Sequence, residues 1–218
     1  MRCRLPLLFV IALSFAGLIY GQKQSPQKLK EANVDFMLRG YFYAGSRIQD
    51  KNALGGFGSS ENYPKTLGTN MNFPAGRVSL VAFPGEETIF GKEFKGMKVR
   101  LINTTGEPVS FSASDSRLYI IQEAIDRDGK WKPVEYLPSS WCGNSYHNIF
   151  LGTNEYWEFA APRFNGVQKT RLRFRLQASN REKTAFIHSN EFEGGVNPKQ
   201  FTVEQGHTPT GLMDPYNN

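Results

Sequence analysis

The sequence predicts an all-β protein: an antiparallel β-sandwich of about eight or nine strands behind a loop-rich N-terminal segment. Three observations carry that prediction. In KTRLRFRLQ, Leu172, Phe174 and Leu176 alternate with Arg171, Arg173 and Arg175, the period of a strand with one apolar and one solvated face. Clusters of turn-forming residues separate runs of this kind. After Arg77 no stretch of ordinary helix length shows helical periodicity.

Taken in order, residues 1–21 have the layout of a signal peptide: Arg2 and Arg4, an apolar run from Leu5 to Ile19, then small residues. That run is shorter than the roughly 20 residues a bilayer span needs, and no integral span is expected once it is removed. Residues 22–35 read as a polar linker, with QKLKEANVDFML able to form at most a turn or two of helix. Residues 36–75, rich in Gly, Asn and aromatic side chains, read as one or two short strands plus a long loop pinned on the main domain by Tyr41, Phe42, Tyr43, Phe57, Tyr63 and Phe73.

Residues 76–205 hold the expected sandwich strands: RVSLVAF, MKVRLIN, EPVSFSAS, RLYIIQEAID, WKPVEYL, NEYWEFAAP, KTRLRFRLQ and TAFIHS. The breaks between them fall at PGEE, NTTGEP, DRDGK, PRFNGVQ and SNREK. Asp128-Gly129 in DRDGK reads as a hairpin turn, because the further ligands of a calcium loop are missing. Residues 206–218 read as a mobile tail. The order of runs, closing on YWEFAAPRFNGVQKTRLRFRL, resembles the late strands of immunoglobulin-like and fibronectin-III-like domains over residues 76–204. The resemblance implies a sandwich and no particular function, and the inter-sheet disulfide of true immunoglobulin domains has no counterpart here.

Charge and cysteine content narrow the function. The formal charge of +6 falls to +4 when residues 1–21 are removed, and no block of five or six like charges exists, so nucleic acid is not an expected partner. With Cys3 inside the signal peptide, Cys142 has no intramolecular disulfide partner, and stability must come from the core. The cations Lys169, Arg171, Arg173 and Arg175 share one strand face, read as a solvated face offset by Glu158 or Glu123 on a neighbouring strand.

The stretch SSWCGNSYH, Ser139 to His147, concentrates the candidate chemistry. As a thiol enzyme it would use Cys142 with His147 or His188, but no helix is at hand to lower the thiol's pKa. A copper site needs two imidazoles beside the thiolate, and no histidine precedes Cys142; paired zinc-ligand spacing is also absent, so neither metal nor cofactor is expected. As a binding rim the stretch offers Trp141, Asn144, Tyr146 and His147, while Trp157 and Phe159 share a face and belong to the core. Asp115, Arg117 and Glu191 would join it if their loops meet at one end of the sandwich, as either a polar lock or a shallow pocket. Asn103 in NTT fits the N-glycosylation acceptor pattern. The expected function is therefore an exported, non-catalytic binding or structural accessory module for an extracellular or periplasmic glycan or protein. The alternative is an exported hydrolase or thiol-dependent enzyme built on Cys142.

Overall fold

Alternating side chains become paired strands wherever the sequence gives them one apolar face. The computed structural model describes residues 28–138, 143–180 and 183–206. Within these, the strands in chain order are β1 (Leu38–Arg39), β2 (Lys65–Thr66), β3 (Val78–Phe90), β4 (Phe94–Asn103), β5 (Val109–Ser114), β6 (Arg117–Leu118) and β7 (Ile120–Ile125). They continue as β8 (Trp131–Pro133), β9 (Glu135–Tyr136), β10 (Tyr146–Leu151), β11 (Glu155–Pro162), β12 (Gln168–Asn180), β13 (Lys183–His188) and β14 (Phe192–Val196). Two single turns of 3-10 helix, Gly143–Ser145 and Pro198–Phe201, are the helical content of the described residues. No helix among them is long and apolar enough to cross a membrane. The signal peptide, residues 22–27 of the linker, Trp141, Cys142 and the tail from residue 207 lie outside the described residues.

The fold is all-β and sandwich-like. An antiparallel sheet in the order β2-β11-β4-β3 lies with a second in the order β13-β12-β7-β8. β12 is long enough to take β14 along Gln168–Leu172 and β13 along Arg175–Asn180, with β7 on its other side. A smaller antiparallel sheet, β10-β5-β6, and the parallel pair β1-β9 complete it. Tyr119 and Val134 split two predicted runs into β6/β7 and β8/β9, β1 and β2 are short strands within residues 36–75 where one or two were expected, and β10 and β14 fall outside the predicted runs.

Burial follows the alternation. Leu172, Phe174 and Leu176 of β12 are buried, as are Met97, Val99 and Leu101 of β4 and Trp157, Phe159 and Ala161 of β11. Phe42 enters this core from the N-terminal segment with its ring edge-on to Phe159 at 5.2 Å and to Phe174 at 5.6 Å, so it joins the two larger sheets. Removing such a ring costs about 3–5 kcal/mol in transfer and cavity terms. No helical turn forms over residues 28–38; Lys30, Ala32 and Met37 instead make isolated parallel bridges to Phe94, Phe164 and Glu204.

Two tight turns and one charge cluster organise the surface around this core. At the DRDGK turn, Asp126 Oδ1 accepts the N–H groups of Asp128 and Lys130, and Gly129 supplies the left-handed φ of 75° between β7 and β8. Between β5 and β6 the two linking residues, Asp115 and Ser116, both have positive φ, 48° and 60°, which is the pattern of a type I′ hairpin turn. The cationic face of β12 is neutralised from within the same sheet. Glu123 of β7, opposite Arg173 in register, lies 3.0 Å from Arg173 Nη2 and 2.9 Å from Arg175 Nη1. The Arg173 guanidinium also stacks over Trp131 at 4.2 Å. Glu158 serves a different cluster, around Arg100 and Lys65.

Candidate functional site: a cleft on the outer edge of β10

β10 begins inside the stretch expected as a loop. His147, Ile149 and Leu151 point inward and are buried, while Tyr146 faces solvent at 47% exposure. An imidazole at the first inward position interrupts the apolar alternation, which is why the strand is invisible in sequence. β10 is an edge of its sheet, and its outward N–H groups are taken by side chains of the loop that follows Ala44. The Asn148 N–H donates to Asp50 Oδ2 at 2.7 Å and the Phe150 N–H to Ser46 Oγ at 3.1 Å. An edge strand left open is a template for another chain, and these two side chains blunt it.

The same loop is fastened at three further points. Trp157 Nε1 donates to Gly45 O at 2.9 Å from inside the core, and the Gly45 N–H donates to Asn62 O. A Cβ on Gly45 would stand 2.3 Å from Ser60 O, so only glycine allows this approach. Farther along, the Gly58 N–H donates to Asp115 Oδ1 at 2.9 Å and Ser116 Oγ donates to Gly58 O at 2.7 Å. The strained hairpin turn thus holds both backbone groups of Gly58. Between these fastenings, Gly55 and Gly56 have φ of 81° and 78°, and the chain delivers Phe57 face-on to His147, ring centroids 3.7 Å apart and planes within 13°.

The result is a cleft of about 320 Å³ lined by Ile48, Asp50, Phe57, Tyr63, His147 and Asn148 among others. Exposed Ile48, Leu54 and Tyr63 belong to the loop that forms it. Asp50 is the single charged residue of the lining, and among the described residues it makes no ion pair. The N–H groups of Asn148 and Asn52 hold its carboxyl below the usual carboxylate range, against a smaller opposing effect of burial. His147 Nδ1 lies 3.1 Å from Ser145 O; a carbonyl only accepts, so Nδ1 carries a proton, and in the neutral tautomer Nε2 carries the lone pair. That Nε2 is buried and has no hydrogen-bond partner among the described residues.

The structure brings together Asp115, Asn144 and His147 of the predicted residues: all three meet the glycine loop, at Gly58, Gly56 and Phe57 respectively. Arg117 is drawn inward instead of lying at the cleft. It is 4% exposed, donates from Nη2 to Pro138 O at 3.3 Å and packs its stem beside Gly40. Glu191 does not meet Arg117 either, because Arg171 Nη1 holds its carboxylate at 2.6 Å. His188 lies on β13, in a different sheet from His147, where burial and then Arg173 lower its pKa. Among the described residues no three His, Cys, Asp or Glu side chains are grouped to hold a metal ion. The sequence pattern does not single out Asp50, Ser46, Phe57 or Tyr63 as site residues; GGFG, an aromatic set among glycines, is the available signal for one of them.

A larger cleft of about 510 Å³ has Met97, Phe164, Leu172 and Phe192 at its floor. Four of its rim charges are already paired, Lys95 with Glu31 and Arg163 with Glu87, and Lys169 bonds Asn165. The β10 cleft is the one with a buried polar atom left without a hydrogen-bond partner, His147 Nε2, and it is the candidate site.

Fold and site together define an all-β sandwich-like protein with a loop-capped cleft on a sheet edge. No family model matches the chain, and no curated protein or solved structure matches it.

Proposed function

We propose that this protein is an exported, non-catalytic binding module, and that its ligand, a glycan, seats a sugar ring in the cleft on β10. The observation that carries the reading is Phe57 stacked on His147 above a buried, unpartnered Nε2. Aromatic faces match the apolar faces of sugar rings, and Tyr63 and Phe57 supply them beside the polar groups of Asp50, Asn148 and Ser60. Buried polar atoms are nearly always hydrogen-bonded in folded proteins, and a ligand group is one way to complete Nε2. Export follows from the charged and apolar N-terminal layout of the sequence.

The test is titration of the folded protein with a panel of neutral, acidic and amine-bearing oligosaccharides, read by calorimetry and by histidine chemical shifts. Binding that perturbs His147 and weakens about tenfold in Tyr63→Ala is the expected result. A silent panel, or binding that leaves His147 and the Tyr63→Ala variant indifferent, overturns the reading.

A further inference from the structure

Two groups lining the β10 cleft, His147 Nε2 and the Asp50 carboxylate, accept hydrogen bonds. In the neutral tautomer His147 Nε2 is an acceptor, because Nδ1 donates its proton to Ser145 O. The Asp50 carboxylate is an acceptor by nature, and its partners are all N–H groups: those of Asn52 and Asn148 and the Asn148 side-chain amide. A ligand that presents an oxygen acceptor here meets repulsion; one that presents O–H or N–H donors is satisfied.

Charge selects between the donors. Asp50 is the one Asp, Glu, Lys or Arg of the lining and makes no ion pair with Lys or Arg among the described residues, so a carboxylate with only His147 acting on it gives the cleft its charge. Phe57 and Tyr63 line the same space, and an aromatic ring carries negative potential on its faces. A protonated amine matches all three features: it donates, it is positive, and it is favoured over aromatic faces. A hydroxyl satisfies the first alone. Nε2 is covered by Phe57 and closed to solvent, but the covering ring rides on Gly55 and Gly56, whose left-handed backbone belongs to no strand, so lifting it breaks no ladder.

We infer that the cleft on β10 recognises an amine-bearing sugar, the ammonium seated between Asp50 and His147 and the ring against Phe57 and Tyr63. The inference rests on the glycan-binding reading above and names its ligand class. The experiment compares three trisaccharides of the same linkage and ring stereochemistry at neutral pH: one with free amines, its N-acetylated counterpart, and the glucose analogue. The amine trisaccharide is expected to bind about tenfold tighter than either neutral one, and Asp50→Asn is expected to erase that advantage. Equal affinities for the three sugars, or a preference that survives in Asp50→Asn, overturn the amine assignment and leave the cleft a general glycan site. No binding of any of the three overturns the inference as well, and the broader panel then decides the reading beneath it. If Asp50→Asn does not fold, the comparison of sugars on the natural protein still decides, since it needs no variant.

Discussion

Tyr41 and Glu135 meet inside the protein, the phenolic Oη 2.7 Å from Oε1 of the carboxyl. The other oxygen of Glu135 accepts the backbone N–H of Gln122 at 2.8 Å, so one side chain ties the N-terminal segment, β9 and β7 together. Burial pushes the Glu135 carboxyl up to about 8, and the bonds from Tyr41 and Gln122 restrain the rise. Burial also raises the Tyr41 phenol, with the neighbouring Glu135 adding to it.

This pair predicts a loss of stability as pH rises from about 4.5 to about 8. Between the ordinary value of 4.5 and about 8 the folded protein holds a proton that the unfolded chain has released. Stability from this group is therefore complete below about pH 4.5 and falls as pH rises through 8, by on the order of several kcal/mol in total. Glu135→Gln keeps the volume and an acceptor for Gln122 but cannot ionise. Denaturant unfolding from pH 5 to 9 should show a decline in the natural protein and a flatter profile in Glu135→Gln; parallel profiles would remove Glu135 as the cause.

The bond from Trp157 to Gly45 links core and cleft. Trp157→Phe keeps most of the apolar ring but strands the Gly45 carbonyl, at a cost of about 1–3 kcal/mol. Because Gly45 begins the loop that carries Asp50 and Phe57, amide exchange in residues 45–60 should accelerate more than exchange in β12. Uniform acceleration would show that the bond serves global stability alone.

How much of the molecule is legible in its sequence depends on the range of the interactions. β12 is legible because Leu172, Phe174 and Leu176 alternate with arginines, and the DRDGK turn because its bonds span four residues or fewer. β10 is hidden by His147 at an inward position, and Phe42 looks like its loop neighbours Tyr41 and Tyr43 although it is fully buried. The cleft is least legible. Asp50 bonds Asn148 across 98 residues and Ser46 bonds Phe150 across 104, and a side chain that caps a distant strand edge leaves no period in the sequence.

Arg100 predicts an acid-sensitive clamp. Its guanidinium bonds Glu86 through both terminal nitrogens and Glu158 through Nε, and lies over the Phe83 ring at 4.4 Å. Burial alone would raise Glu158, but Arg100 and Lys65 hold it below the usual range. Its stabilisation is thus present above the ordinary carboxylate range and is lost as pH falls through the lowered value. Arg100→Ala, which leaves Glu158 half-buried without its main partner, should cost about 2–4 kcal/mol near neutral pH and less in acid. An unchanged unfolding midpoint would refute the clamp.

Asn103 predicts an absence of modification. It fits the acceptor tripeptide, yet it is fully buried, and its Nδ2 lies within hydrogen-bond reach of the carbonyls of Glu107, Leu151 and Gly152 while Oδ1 accepts from Thr105. A glycan on that nitrogen would break the turn between β4 and β5. Protein secreted from a eukaryotic host should show no mass loss on enzymatic removal of N-glycans, and Asn103→Ala should lower stability by about 2 kcal/mol. A glycan found on Asn103 of folded protein would contradict the burial.

The Asp115-Ser116 turn separates the stability of a hairpin from the order of the site it supports. Asn-Gly is the better pair for two successive positive φ values, because Asn tolerates the left-handed region and Gly has no Cβ to clash there. Replacing Asp115 and Ser116 by that pair should relieve strain in the turn between β5 and β6. It also removes the Ser116 hydroxyl from Gly58 O and weakens the acceptor for Gly58 N–H. The double variant should therefore unfold within about 1 kcal/mol of the natural protein. Its residues 55–60 should nonetheless be cut faster by a nonspecific protease, since both bonds that fix Gly58 to the turn are lost or weakened. Phe57, one residue before Gly58, would then leave His147 more often, and the His147 ring signals should broaden. Equal cleavage rates in the two proteins would show that the stack of Phe57 on His147 holds the loop without the turn.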